Sequence, residues 1–272
     1  MNLPEGKPKS KMPVLEAILA ATQATLPALR LRRRELDRAA ADRPQPADFA
    51  SGLRGDRVAL IAEVKRRSPS AGAINEALDP VALATAYADG GAAAISVLTD
   101  GPFFGGSLAD LTAIAAAVSR PTLRKDFILD EVQLLEARAA GAAAALLIVR
   151  ALDDSTLQQL IEFADQLGLA TLVETHTAGE VRRAVDAGAR IVGVNSRDLD
   201  DFSIDRAWAW QLLSQVPSGL IAVAESGMAI AADVEEAAAA GADAILIGSA
   251  LAASGNPREG ALAVAGVRRR GR

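Results

Sequence analysis

One phrase repeats along this chain, and it leaves few folds open. From Val58 onward, apolar runs of strand length recur at 58–64, 93–98, 122–125, 143–149, 170–173, 191–194, 220–224 and 244–247. Each is almost continuously hydrophobic, as strands covered on both faces must be. Between them, 80–89, 107–118, 130–140, 153–167, 178–187, 205–215 and 229–240 have amphipathic or alanine-rich helical patterns. The joints repeat too. Gly90, Gly141, Gly188 and Gly241 each follow a helix and precede a strand, where glycine suits the left-handed residue that stops a helix. Asp79 (with Pro80 behind it), Ser107, Asp130, Asp153 and Thr177 open helices as capping residues do. Strict alternation predicts parallel strands with right-handed crossovers. Eight units predict an α/β fold of the (β/α)₈ TIM-barrel type, and 272 residues suit one such barrel. An open doubly wound sheet would carry a Gly-x-Gly-x-x-Gly turn after its first strand. None follows Val64.

Residues 1–57 stand outside the repeat. The pattern predicts a helix over 14–41, a break at Pro44-Gln45-Pro46 and a short helix over 48–53. A segment of that size cannot bury a core of its own. It is therefore expected to be a helical extension capping one mouth of a barrel formed by 58–272.

Composition removes several chemistries. The chain has no Cys and one His, His176, so thiolate nucleophiles, disulfides and Cys-rich or multi-His metal centres are excluded. A net charge of −5 and 3% aromatic residues argue against a nucleic-acid partner. Arg30, Arg32, Arg33, Arg34 and the Arg-rich end at 268–272 read as a solvated helix face and a frayed terminus. The longest apolar run, 142–149, is too short to span a bilayer. The polar N-terminus lacks the apolar centre of a signal peptide. A cytoplasmic protein without a membrane partner is expected.

The polar residues gather at one end of the strands. In LIAEVKRRSPS (60–70), Glu63 and Lys65 are two apart, so both point to the same face of an otherwise apolar strand. Later strands end in Lys125-Asp126, Glu174, Asn195-Ser196-Arg197, Glu225-Ser226-Gly227 and Gly248-Ser249. Barrel geometry converges these ends on one mouth, where catalytic groups of such barrels sit. Buried charge is costly unless it performs chemistry, and opposed charges at close range split pKa values into an acid and a base. Ser226, Gly227, Gly248 and Ser249 stand where helices begin after the last two strands, a frequent phosphate site in barrels. Phe103, Phe104 and Phe127 follow the second and third strands, and Leu146 and Ile148 share a face of the fourth. The expected ligand has a phosphate at one end and an apolar or aromatic part at the other.

Taken in order, IAEVKRRSPS, AAAISVLTD, FFGGSLADL, LRKDFILDEVQLLEARAAGA, LLIV, LVETH, VGVNSRDL, AESGM and IGSAL resemble the indole-3-glycerol-phosphate synthase family over about 49–251. The resemblance implies closure of the indole ring of 1-(2-carboxyphenylamino)-1-deoxyribulose 5-phosphate with loss of carbon dioxide and water, a step of tryptophan biosynthesis that uses no cofactor or metal. Carried over by position, it implies that Lys125 protonates the ketone oxygen, that Lys65 lies near the substrate's anionic groups, and that Glu63 and Glu174 handle protons. Asn195 and Glu225 would hold the polar parts. Ser68 and Arg197 would orient the anionic ends. Ser226, Gly227, Gly248 and Ser249 would cradle the phosphate. Phe104, Leu123, Phe127, Leu146, Ile148 and Leu199 would line the ring pocket. Arg66-Arg67 departs from the family's commoner Lys-Ala-like pair, which bears on phosphate steering. The implied partners are the phosphorylated substrate, with a monomer or weak homo-oligomer and possible contact with other tryptophan-pathway enzymes. An isomerase of phosphoribosylanthranilate on the same barrel would need a Cys and Asp pair, which this chain cannot supply. A phosphometabolite-binding subunit without activity is the other reading, since a fold alone does not prove catalysis.

Overall fold

The computed structural model describes residues 13–68, 72–73 and 79–271, with nothing described for the side chains of residues 68 and 73. Eight parallel strands close into a barrel in sequence order. They are β1 (Ala59–Val64), β2 (Ala94–Leu98), β3 (Thr122–Lys125), β4 (Ala144–Ile148), β5 (Ala170–Thr175), β6 (Ile191–Asn195), β7 (Ile221–Glu225) and β8 (Ala244–Ile247). The helices are α1 (Val14–Leu31), α2 (Arg33–Ala41), α3 (Phe49–Gly52), α4 (Pro80–Asp89), α5 (Leu108–Ala117), α6 (Glu131–Ala140), α7 (Asp154–Gln166), α8 (Ala178–Asp186), α9 (Arg206–Leu213), α10 (Ala231–Ala239), α11 (Ser249–Ala252) and α12 (Pro257–Val264). β8 returns to β1 with Ala244 opposite Ala59. The predicted barrel is thus observed. Its strands are buried on both faces, which is why they read as unbroken apolar runs.

The expected caps form. Asp79, Ser107, Asp130, Asp153 and Thr177 each accept a backbone N–H at the start of a helix. The first glycine joint differs from expectation. Gly91 takes the left-handed conformation, while Gly90 has φ −80°. Gly90 is needed for closeness instead: a methyl there would stand 2.5 Å from the Arg258 carbonyl and 2.7 Å from the Ala261 Cβ. That neighbour belongs to a helix absent from the sequence reading, α12 (Pro257–Val264), capped by Asn256 and preceded by the short α11 (Ser249–Ala252). A two-stranded hairpin, Arg67–Ser68 with Gly72–Ala73, was also not expected.

Instead of one helix over 14–41, the extension forms α1 (Val14–Leu31) and α2 (Arg33–Ala41), broken at Arg32 with φ −89° and ψ 2°. The break lets α2 lie along α6 (Glu131–Ala140). Leu26, Leu36 and Ala40 bury against Val132 and Leu135. Arg30 pairs with Asp130 at 2.6 Å, and Arg33 pairs with Glu131 at 2.6 Å. At the far end of α6, Arg138 donates to the Pro44 carbonyl at 2.8 Å. The extension therefore runs down the outside of the barrel from the C-terminal ends of the strands to the N-terminal ends. There α3 (Phe49–Gly52) buries Phe49 in the inner apolar cluster. α1 is long and apolar enough by length and composition to cross a membrane, yet Leu15 and Ile18 join the inner cluster that holds Phe127, Leu146 and Ile148. Within the arginine-rich end, Arg269 is tied down. Arg269 reaches the buried Asp243 at 2.5 Å, and its N–H donates to the Asp56 carbonyl.

Candidate active site

The pleat sends every second side chain into the barrel. On β1 these are Ala59, Ile61 and Glu63; on β3, Leu123 and Lys125; on β5, Leu172 and Glu174; on β7, Ile221, Val223 and Glu225. Alternate strands thus contribute one inward layer, as in other barrels. In this chain the uppermost layer, Glu63, Lys125, Glu174 and Glu225, is charged throughout.

Lys125 Nζ lies 2.9 Å from Glu225 Oε2 and 3.3 Å from Glu174 Oε2. Lys65, just past the end of β1, places Nζ 2.7 Å from Glu63 Oε1. The glutamates are 3%, 2% and 1% exposed in chain order, so water screens little of this. Burial opposes the Lys125 ammonium, but Glu225, Glu174 and Glu63 outweigh it and raise its pKa. Burial, with Glu174 beside it, pushes the Glu225 carboxyl up to about 7 despite Lys125. Burial also opposes the Glu174 carboxylate, yet Lys125 and His176 hold its pKa low. The same balance keeps Glu63 low through Lys65 and Lys125. Two neighbouring carboxyls therefore differ at neutral pH: Glu174 is charged, and Glu225 stands near its midpoint. That split supplies a base and an acid in one site.

Neighbouring strands make room for these groups. Gly193 on β6 lies opposite Glu174, and a methyl on it would collide with the Glu225 carboxylate. A methyl on Gly248 would collide with the Glu63 carboxylate. Glycine within a strand marks a close approach, so Gly193 inside IVGVN was a legible signal that the sequence reading left unused.

The charged layer floors a cavity of about 260 Å³. One wall is apolar: Phe104, Phe127, Leu146, Ile148 and Leu199 line it, with the two phenyl rings 6.1 Å apart and tilted by 35°. The other rim holds Arg197, Ser226, Gly227, Gly248 and Ser249. Ser226 and Gly227 both adopt left-handed backbone, φ 67° and 73°. For a serine this is a strained conformation of the kind that collects at functional sites. Arg197 donates to the Phe202 carbonyl at 3.2 Å, and among the described residues no carboxylate forms an ion pair with it. Asn195 Oδ1 accepts from the Arg197 N–H at 3.0 Å, which fixes the turn after β6.

The six candidate catalytic residues, Glu63, Lys65, Lys125, Glu174, Asn195 and Glu225, all line this one cavity. So do all the candidate binding residues but two. The Ser68 side chain lies outside the described residues. Leu123 does not line the cavity: it faces inward two residues below Lys125, fully buried in the layer beneath. Leu98, Asp126, Phe202, Ile204, Met228 and Leu246 line the cavity without having been singled out. Asp126 is reached through an outward-facing neighbour. Arg124 pairs with Asp126 at 2.9 Å and Glu136 at 3.0 Å, bracing the end of β3 on either side of Lys125. The Arg66 guanidinium is committed elsewhere, to Asp110 at 2.7 and 3.0 Å. Among the described residues no group of three or more His, Asp or Glu is placed to hold a metal ion.

Comparison with known proteins is consistent with this geometry. The family model of indole-3-glycerol phosphate synthase matches residues 15–262. An indole-3-glycerol phosphate synthase of Parafrankia sp. is 49% identical over 253 residues, covering 91% of this chain and 93% of that protein. One from Streptomyces griseus is 49% identical over 249 residues with the same coverage. Among solved structures, 3-hexulose-6-phosphate synthase from Salmonella typhimurium superposes with a TM-score of 0.62 at 18% identity, covering 76% of this chain and 97% of that one. A thiamine phosphate pyrophosphorylase from Pyrococcus furiosus gives 0.58 at 16% identity, covering 77% and 94%. At such identities these two share the fold and nothing further is drawn from them.

Proposed function

The chain belongs to the indole-3-glycerol phosphate synthase family, carboxy-lyases of tryptophan biosynthesis, and from that premise we propose how its residues divide the work. The reaction closes the indole ring of 1-(2-carboxyphenylamino)-1-deoxyribulose 5-phosphate and releases carbon dioxide and water. A ring carbon attacks the ketone, and the ketone oxygen becomes strongly basic as the bond forms. Lys125 is the proton donor to that oxygen. Its ammonium is kept charged by Glu174, Glu225 and Glu63 until a stronger base meets it. Loss of carbon dioxide restores the aromatic ring, and dehydration then needs one group to remove a proton and another to give one to the departing hydroxyl. Glu174 as carboxylate, with Lys65 and Glu63 across the floor, suits that task, and Glu225 with its pKa near 7 exchanges protons readily at neutral pH.

The substrate's two ends fit the two walls. The carboxyphenyl ring lies along Phe104, Phe127, Leu146, Ile148 and Leu199. The phosphate lies at Ser226, Gly227, Gly248 and Ser249, with Arg197 as counter-charge and Ser68 nearby on the loop after β1. Asn195 orients a substrate hydroxyl. The extension 1–57 acts as a cap to the barrel domain 58–272, with α1 closing over the apolar wall. One chain supplies every group named, so a monomer or weak homo-oligomer suffices. A phosphorylated substrate cannot cross a bilayer unaided, which supports work in the cytoplasm.

The observation that carries these assignments is Lys125 Nζ held between Glu174 and Glu225 beneath an aromatic wall. The test is turnover of 1-(2-carboxyphenylamino)-1-deoxyribulose 5-phosphate without added metal, followed by indole fluorescence. Product that forms with the parent chain and not with Lys125→Ala supports the role of Lys125. A variant with near-parental kcat removes it.

A further inference from the structure

His176 follows Glu174 by two residues, at the end of β5, and is 8% exposed. Its Nε2 lies 3.6 Å from Glu174 Oε1, and its Nδ1 lies 3.4 Å from Glu180 Oε2 on α8 (Ala178–Asp186). Its backbone N–H donates to the same Glu180 oxygen at 2.7 Å, and its carbonyl accepts from Trp208 Nε1 at 3.2 Å. The backbone is thus pinned from two sides, and the ring stands between two carboxylates. Both ring nitrogens and Glu174 Oε1 are buried without a hydrogen bond of good geometry. A small adjustment of the ring pairs them. A neutral imidazole has one N–H and can satisfy one carboxylate; an imidazolium has two and satisfies both. Buried polar groups left unpaired are costly.

We propose that His176 is a positioning residue: as an imidazolium bridging Glu180 and Glu174 it keeps Glu174 ionised, so that the proton of the Glu174–Glu225 pair resides on Glu225. This rests on the assignment of that pair to proton transfer. The other charges facing the ring are Arg150, in the turn after β4, which opposes the imidazolium, and Asp198, in the loop after β6, which favours it. Arg150 lies 3.5 Å from Asp198 and 3.3 Å from Asp200, which offsets much of its influence. Burial alone would lower the imidazole pKa, but Glu180 and Glu174 reverse this and raise it.

His176 is the chain's only histidine, so ring-nitrogen NMR of tag-free protein reports it without ambiguity. The expected result is an imidazolium at pH 7 with a midpoint above the free value, moved down by about one unit in Glu180→Gln. In turnover, His176→Gln is expected to lower kcat roughly tenfold with KM little changed, and to shift the acidic limb of the kcat profile to higher pH. A purely structural role would lower kcat evenly and leave the limb in place. A ring that is neutral at pH 7, a midpoint unmoved by Glu180→Gln, or an unmoved limb overturns the proposal. Because the NMR midpoint does not depend on turnover, loss of the Lys125 assignment and loss of this one are told apart.

Discussion

Two layers of the same barrel differ by two residues along each strand and by everything in their chemistry. Ile61, Leu123, Leu172 and Val223 form the lower layer, all buried and all apolar. Glu63, Lys125, Glu174 and Glu225 form the layer above, nearly as buried and ionisable throughout, with Lys125 the most exposed at 16%. The backbone positions are equivalent, so the strands dictate neither choice. The lower layer lowers the free energy of folding by removing hydrocarbon from water. The upper layer is held together by mutual attraction that desolvation largely offsets. It is therefore a weak contributor to stability, in keeping with the catalytic role proposed for it.

The largest effect should come from breaking the upper layer. Lys125→Ala is expected to lower kcat by about 10²–10⁴-fold, read in the turnover assay. One layer down, Leu123→Ala should do the opposite: a loss of about 2–5 kcal/mol of stability in urea unfolding, with kcat close to that of the parent. If Leu123→Ala damages kcat as Lys125→Ala does, the two layers are not separable.

The titration of the upper layer gives the third test. The Glu225 pKa is raised, to about 7, so its contribution to stability is present at low pH and lost as pH rises through that value. The Glu174 pKa is lowered, so its contribution has the opposite sign, present above the ordinary carboxylate range and lost on acidification. The two act in different windows, Glu174 below the ordinary carboxylate range and Glu225 between that range and about pH 7. Glu225→Gln removes the Glu225 contribution, so between pH 4.5 and pH 7 the parent should lose about 1–3 kcal/mol of stability that the variant keeps. Equal slopes would mean that Glu225 titrates normally.

Ser249→Asp places a like charge on the rim and should raise KM about tenfold while kcat changes less; an unchanged KM moves the phosphate elsewhere. The smallest effect is expected for an ion pair outside the barrel. Arg30, 59% exposed, pairs with Asp130 at 2.6 Å, and Arg30→Ala should cost about 0.2–1 kcal/mol in thermal or urea unfolding. Its contrast with the buried pairs is in solvation, since the distances are alike.

The eight strands, the five side-chain caps and one charged mouth were legible because each rests on a local rule. A strand covered on both faces must be apolar, a helix must begin with an acceptor, and alternation sends Glu63 and Lys65 the same way. The break at Arg32 was not legible, because it follows from α2 packing along α6, about a hundred residues away. Arg269 read as part of a frayed tail because its partner, Asp243, is near only in space. The family resemblance alone implied Leu123 as pocket lining; its height in the barrel, one layer below Lys125, is something sequence does not give.

By itself, then, the sequence determined periodicity, strand ends, caps and the identity of the charged residues, all set by neighbours within a few positions. Only the tertiary structure decided which strand ends face each other across the barrel, that Gly193 and Gly248 leave room for Glu225 and Glu63, and that His176 stands between Glu174 and Glu180. Those relations depend on the closure and register of eight strands. So does the split between Glu174 and Glu225, because a pKa is set by charges and burial around a group in space and not by its neighbours along the chain.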